Sequence, residues 1–262
     1  MTTDTNFLAA LRLSDSFLPV GSFTASYGIE QYVNEGVIED AEDLQAVLSA
    51  YLERIVGPCD TIAVANAHAA SERGDLEALL AVDERLHAVT MPREFRESST
   101  KAGTQLCELL LSEDGISGVG AGFESGFRSE REFDAEPTTD DPESNPLEDH
   151  VHAYTDAIEC GETVGHYAVV FGVLAQQKGL EREQACQAQA YSFVVGLLGA
   201  AQRLGRFGHT EIQAVLEALL PELEATCARH LDDSLEDMGA FAPAAEVMGM
   251  RHERAGRRLF MS

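Results

Sequence analysis

The apolar residues of this chain recur at intervals of three and four, which is the period of an α-helix packed along one face. Asp40 is a favourable N-cap, and the stripe after it consists of Leu44, Val47, Leu48, Tyr51, Leu52 and Ile55. Gly57 and Pro58 are expected to end this helix, and Asp60 to cap the next one. Similar stripes follow Asp75 and Pro92 and resume beyond Val151, whereas alternating strand patterns are almost absent. The sequence therefore predicts an all-α protein, a single-domain helical bundle of about eight to ten helices.

One interval departs from this pattern. Residues 112–149 hold 12 Asp and Glu, two Arg, five Gly and three Pro, with few apolar residues to bury. Such a composition is typical of a flexible segment. We therefore expect a disordered acidic insertion within one domain over residues 1–262.

The charge balance excludes several classes of function. Lys and Arg number 18 against 45 Asp and Glu, a net charge of −27, so nucleic acid and anionic membranes would be repelled. No apolar run approaches the ~20 residues of a membrane helix, and no signal peptide is evident, so we expect a cytoplasmic protein. Only Lys101 and Lys178 are lysines. Scarce lysine combined with excess carboxylate resembles salt-adapted, halophilic proteins.

Common enzyme signatures are missing from the sequence. It has no phosphate-binding loop, no dinucleotide-binding glycine motif, no HExxH and no GxSxG, which weighs against catalysis. His150 and His152, with Cys160 nearby, still suggest a contact for a soft metal ion. The alternatives are therefore an all-α metal-dependent enzyme with an unrecognised site, or a solvated histidine pair in a loop.

The N-terminal segment from Leu18 to Glu30 is dense in turn and cap residues. It suits an interhelical turn or a functional surface, and the residues that would form that surface are Pro19, Gly21, Phe23, Ser26 and Gly28.

The C-terminal segment, residues 240–262, has the opposite charge to the rest of the chain. From Arg251 to Ser262 it holds four Arg and one Glu, and it ends with the apolar pair Leu259 and Phe260. It suits a tail that rests on the acidic body or one that docks a partner through arginines and apolar anchors.

These two ends resemble one family. Leu18–Glu30 resembles the LPxGxFxxSxGLE signature of UreF, a urease accessory protein, and Met250–Glu253 with Arg258–Ser262 resembles that family's terminus. Similar segments in the expected order are Arg93–Ser98, Gly165–Gly172 and Tyr191–Leu204.

The resemblance implies a homodimeric chaperone that is not an enzyme and has no cofactor of its own. It implies a complex with UreD (also called UreH), the GTPase UreG and apo-urease, into which nickel is inserted. A purely structural helical scaffold is a third alternative. We predict partner contacts at the five N-terminal residues above and at Arg251, His252, Glu253, Arg254, Arg258, Leu259 and Phe260.

Two further sets of residues follow from this interpretation. Tyr191 and Arg203 are predicted at the dimer interface, because Tyr and Arg are favoured at interface centres. Glu30, Asp60 and Glu94 are candidates for a nickel route, although acids near helix starts also serve as caps.

Overall fold

The computed structural model describes residues 3–16, 18, 20, 25–113 and 146–260. Within those residues the chain forms eleven α-helices and no strand, which confirms the predicted all-α class. The helices are α1 Thr3–Leu13, α2 Ile29–Asn34, α3 Ala41–Tyr51, α4 Ile62–Arg73, α5 Leu76–Val89, α6 Arg93–Glu113, α7 Pro146–Cys160, α8 Tyr167–Gln177, α9 Arg182–Arg203, α10 His209–His230 and α11 Pro243–Glu253.

Aspartate caps explain where two helices begin, and the cap at Asp40 was predicted. The Asp40 carboxylate accepts hydrogen bonds from the backbone amides of Glu42 and Asp43, at 2.9 and 3.0 Å, and so starts α3. The Asp75 carboxylate accepts one from the Ala78 amide at 3.0 Å and starts α5. Each cap satisfies donors that have no partner inside the helix.

The predicted break at Gly57 and Pro58 is wrong. Residues Leu52–Thr61 form a π-helical segment that joins α3 to α4 without interruption. Proline removes one backbone donor and crowds an α-helical turn, and the wider π-turn accommodates it within a continuous helical path. Asp60 therefore lies inside this segment and does not cap α4.

Helix α8 lies at the centre of the molecule. Its residues from Ala168 to Ala175 are all buried, as expected for a helix that is apolar on every side. It packs against α4, α6 and α9. One cluster of buried apolar residues draws members from every helix, α1 to α11.

The ends of the predicted insertion are helical. Helix α6 continues to Glu113 and α7 begins at Pro146. Residues 114–145 lie outside the described residues, so the expected flexibility stays a prediction. None of the helices in the described part of the chain has the length and apolar character needed to cross a lipid bilayer.

Candidate functional site

The N-terminal and C-terminal parts of the described chain meet where α11 packs against α2 and α6. Tyr27 and Gly28 have left-handed backbone dihedrals, with φ of 46° and 85°, just before α2 begins. A Cβ atom on Gly28 would lie 3.2 Å from the backbone nitrogen of Gly249. Glycine therefore permits both the turn and the close approach of α11.

His252, in the last turn of α11, lies at the centre of this junction with 0% of its surface exposed. Its Nδ1 is 2.8 Å from a carboxylate oxygen of Glu94, and its Nε2 is 3.0 Å from one of Glu30. Carboxylates only accept hydrogen bonds, and an imidazolium donates from both nitrogens. The geometry therefore suits a charged His252 between two ionised glutamates.

The same two glutamates hold the residues after α11. The Glu30 carboxylate accepts hydrogen bonds from the backbone amides of Leu259 and Phe260, at 2.7 and 3.0 Å. Arg258 donates from Nη1 to Glu94 at 2.6 Å. We call the buried residues Glu30, Glu94 and His252, together with the exposed Arg258 that pairs with Glu94, the buried charge cluster. It fixes the path of the C-terminal segment.

The surroundings of Glu30 favour its ionised form. Burial raises the pKa of this carboxyl, but the hydrogen bonds from His252 and from the amides of Leu259 and Phe260 outweigh burial and lower the pKa below its ordinary value. A carboxylate that accepts several hydrogen bonds in a buried site is costly to protonate or remove.

Phe260 completes the attachment of the tail. Its side chain is 6% exposed, and the guanidinium of Arg203 lies 4.9 Å from the centre of its ring. This distance is typical of a cation–π contact. Phe260 thus packs within its own chain, whereas the neighbouring Leu259 is 64% exposed.

The predicted partner-binding residues of the tail therefore divide into two groups. His252 and Phe260 are buried, whereas Arg251, Arg254 and Leu259 are exposed. Arg251 pairs with Glu35 at 2.5 Å, and Glu253 lies 3.9 Å from Arg93. The sequence left open whether the tail rests on the acidic body or docks a partner. In the structure the tail rests on the body, and it also presents an arginine-rich face outward.

Only some of the predicted N-terminal partner-binding residues lie within the described part of the chain. Pro19, Gly21 and Phe23 lie outside the described residues. Ser26 is fully buried, and its hydroxyl has no hydrogen-bond partner among the described residues. Gly28 lies against α11. A docking role for this segment stays a prediction.

The remaining candidates fall at two places. Tyr191 is half-buried and Arg203 is exposed, and both lie on α9. Glu30 and Glu94 come together at His252, whereas Asp60 lines a separate cavity. The structure thus joins two of the three proposed nickel-route acids and not the third.

The alternative histidine site does not form as expected. His150 and His152 lie in helix α7, not in a loop. His150 is buried and its Nε2 is 3.0 Å from the Ser71 hydroxyl, whereas His152 and Cys160 are exposed. Across the described residues, no group of three or more His, Cys, Asp or Glu is arranged to hold a metal ion.

A buried aspartate was missed by the sequence analysis. Asp83, in α5, accepts hydrogen bonds from the Thr163 hydroxyl and from the backbone amides of Val164, Gly165 and His166, at 2.5 to 3.1 Å. It holds the loop that leads into α8. A signal was present, because this acid occupies a core position in the apolar stripe of α5.

The loop also places the buried His166 beside His87, which is exposed. His166 Nε2 lies 3.1 Å from His87 Nδ1, and His166 Nδ1 lies 3.0 Å from the Ser99 hydroxyl. Burial lowers the pKa of His166 to about 4, with help from the nearby His87 and Arg96, although Asp83 opposes the shift. His166 is therefore a neutral connector between helices near neutral pH.

The fold and the site are those of an all-helical protein in which the buried charge cluster holds the C-terminal segment against the body. The chain matches the family model UreF over residues 38–220. It is 31% identical to the urease accessory protein UreF of Kocuria rhizophila over 260 residues, covering 97% of this chain and 96% of that protein. With the protein of the same name from Trichodesmium erythraeum it shares 29% over 253 residues, covering 97% and 95%. The chain belongs to the UreF family of urease accessory proteins.

Proposed function

We propose that this chain is a cytoplasmic chaperone that assists nickel insertion into apo-urease. In this proposal it acts as a homodimer with UreD (UreH) and the GTPase UreG, modulates UreG, and performs no catalysis of its own. Membership of the family supports this role, and relatives carry the name urease accessory protein. The supporting observation in the structure is the C-terminal segment, which the buried charge cluster holds against the body with its arginines outward.

One face of α11 has the character of a docking surface. Val247, Met250, Arg251 and Arg254 are spaced so that they share one side of the helix, and all four are exposed. Together with Leu259 they form what we call the tail surface. Apolar groups beside arginines suit a partner that carries apolar pockets and carboxylates, and we assign this surface to UreD.

A surface substitution separates docking from folding. Leu259 is 64% exposed and its backbone amide makes the bond to Glu30, so Leu259→Ala should leave the melting temperature unchanged. Loss of an apolar anchor should weaken co-purification with UreD about tenfold. Leu220→Ala, at a 42% exposed leucine of α10, is the matched control. Equal UreD binding by both variants would contradict the assignment.

The dimer prediction concerns the α9 face that carries Tyr191 and Arg203. Tyr191→Asp places a charge on a half-buried aromatic position, and an unpaired charge inside an interface is costly. We expect a monomer in light scattering with the helical content retained. A dimer of normal stability would remove Tyr191 from the interface.

For the nickel route, Asp60 gives a cleaner test than the two glutamates. Glu30 and Glu94 hold His252 and the tail, so substitutions there alter folding as well as any transfer of Ni²⁺. Asp60→Asn keeps the size of the side chain and removes the charge. Urease activation lost in a folded Asp60→Asn variant would support a route through Asp60, and full activation would exclude it.

A further inference from the structure

A cavity of ≈ 60 Å³ lies between the π-helical segment, α5, α6, α9 and the start of α8. Asp60 lines it and is half-buried. Met91 at the edge is 57% exposed, so the cavity reaches the surface. Such a volume is large enough for a small ion or a few water molecules.

The Asp60 carboxylate has little compensation for its charge. Gln189 donates one hydrogen bond to it. No lysine, arginine or histidine of the described residues forms an ion pair with it. Arg85, on the neighbouring helix α5, donates to the Met238 carbonyl at 2.6 Å. A buried carboxylate without a counter-charge is costly in water-poor surroundings, so the site favours a cation from solution.

A second polar group of the cavity also lacks a partner. Gln189 is 2% exposed and lines the cavity, and none of the described residues donates a hydrogen bond to its Oε1 atom. Native proteins rarely leave such an acceptor unpaired. Asp60 and Gln189 thus offer a carboxylate and a free amide oxygen side by side, and both groups suit a ligand that only donates hydrogen bonds.

Aromatic rings form the other walls. Tyr27 lies 5.0 Å from Phe95 and 5.1 Å from Phe193, measured between ring centres, and all three line the cavity together with Tyr167. Aromatic faces attract ammonium groups, and a ring cage beside a carboxylate is the usual way in which proteins recognise them.

We propose that this cavity binds a small monovalent cation of the ammonium type, with its N–H groups directed at Asp60 and Gln189 and its charge against the rings. A divalent ion is disfavoured, because only one carboxylate and one amide oxygen are at hand and no three-ligand group exists among the described residues. The Cys59 thiol does not help, since burial, with Asp60 nearby, raises its pKa to about 12. The proposal does not rest on the role in urease maturation.

The surroundings predict how binding depends on pH. Burial raises the pKa of Asp60 to about 7, although the Gln189 bond opposes the shift. Burial also raises the pKa of Tyr27 and Tyr167 and lowers that of His166, so these three are neutral there. Cys59 is neutral too, and Glu246 is the one other acid lining the cavity among the residues that the structure describes. Because a cation binds the ionised form of Asp60, affinity should fall about tenfold for each pH unit below this pKa.

The test uses the full chain in about 1 M sodium chloride, where the Debye length is about 3 Å and diffuse attraction to the −27 surface is suppressed. Ammonium chloride is titrated while the side-chain amide signals of Gln189 are followed by nuclear magnetic resonance. We expect a saturable shift in the wild type and an affinity at least tenfold weaker in Asp60→Asn. Glu217→Gln, at an exposed carboxylate of α10, should behave as the wild type.

Several results would show that the cavity does not bind an ammonium-type cation at Asp60. A shift that added sodium or potassium chloride reproduces, or one retained in Asp60→Asn, would overturn the proposal, as would a site that responds to nickel chloride and not to ammonium. If Asp60→Asn fails to fold, the wild type still gives an answer, since an affinity that does not weaken below about pH 7 would also overturn it. None of these results depends on urease activation, so failure here leaves the proposed function untouched.

Discussion

Glu30 accepts most of the hydrogen bonds that join the N-terminal and C-terminal parts of the described chain. Its carboxylate accepts hydrogen bonds from the His252 ring and from the amides of Leu259 and Phe260. Hydrogen bonds to a charged acceptor are stronger than neutral ones. The bonds from His252 and Phe260 are buried, and the bond from Leu259 is partly buried. The residue therefore attaches the C-terminal segment to the start of α2.

Substituting this residue should show its contribution to stability. Glu30→Gln removes the charge and one acceptor site, and leaves buried donors of His252 and the tail without full partners, which costs about 1–3 kcal/mol of unfolding free energy at neutral pH. Because the folded-state pKa of Glu30 is below its ordinary value of 4.5, this stabilisation is present above that value and is lost as pH falls through the folded-state pKa.

The measurement is chemical denaturation of both proteins at pH values on either side of that titration. The difference in unfolding free energy between wild type and Glu30→Gln should be largest near neutrality and shrink in acid. Glu217→Gln on α10 serves as the control and should differ from the wild type by less than about 0.5 kcal/mol at each pH. A difference that does not change with pH would contradict the ionised, hydrogen-bonded state of Glu30.

Among the helices, the sequence predicted the features that depend on residues close together in the chain. The caps at Asp40 and Asp75 and the helical class follow from residue type and spacing. The π-helical segment at Pro58 could not be predicted, because a proline breaks most helices and only tertiary packing holds this one together. The loop bound by Asp83 was also missed, since its partners are about eighty residues away in sequence, at Thr163 to His166.

Helix α6 packs so closely on this loop that one added methyl group should matter. A Cβ atom on Gly103 would lie 1.9 Å from the Gly165 carbonyl oxygen, and that backbone is fixed by Asp83. Gly103→Ala should therefore destabilise the fold by about 1–3 kcal/mol, as overpacking does. The amide of Gly165 should also exchange faster with solvent.

A matched glycine in α9 provides the control. A Cβ atom on Gly199 would meet no atom of the described residues within 4 Å, so Gly199→Ala should stabilise the chain by about 0.5–1 kcal/mol through helix propensity alone. Thermal unfolding of the two variants checks both signs. A Gly103→Ala protein as stable as the wild type would show that α6 is free to move away from the loop.

At the scale of the whole molecule, the candidate site joins segments that are far apart in sequence. The sequence named Glu30, Asp60 and Glu94 as candidates and pointed to the family through its signature segments, but it could not show that Glu30 and Glu94 share one histidine while Asp60 lines a separate cavity. Nor could it show that Phe260 turns inward while Leu259 stays exposed. Both facts depend on how α11 crosses α2 and α6, and no local pattern encodes that crossing.

Removing the tail should therefore cost stability as well as partner binding. A chain cut after Gly249 loses His252, Arg258 and Phe260, and leaves Glu30 and Glu94 buried without partners. Breaking a buried ion pair costs about 3–5 kcal/mol, so the truncated protein should melt well below the full chain. Removing a tail that only rested on the surface would leave the melting temperature nearly unchanged. Equal melting temperatures would show that the cluster does not form in solution.

Salt should act differently on the surface and on the buried charge cluster. The net charge of −27 produces self-repulsion between exposed carboxylates, and screening relieves it as the Debye length falls from about 10 Å at 0.1 M to about 3 Å at 1 M. The unfolding free energy of the wild type should therefore rise steeply from dilute to molar potassium chloride. Within the cluster His252, Glu30 and Glu94 are shielded from solvent, at 0%, 5% and 5% exposure, whereas the Arg258 side chain is 38% exposed. Buried pairs are screened much less. The loss of unfolding free energy caused by Glu30→Gln should then be nearly the same at both salt concentrations, while the unfolding free energies of both proteins rise together.

Denaturation of the two proteins at low and high salt checks both expectations. A wild-type stability that is flat with salt would contradict the salt-adapted surface, and a Glu30→Gln loss that vanishes at high salt would show that the cluster is open to solvent.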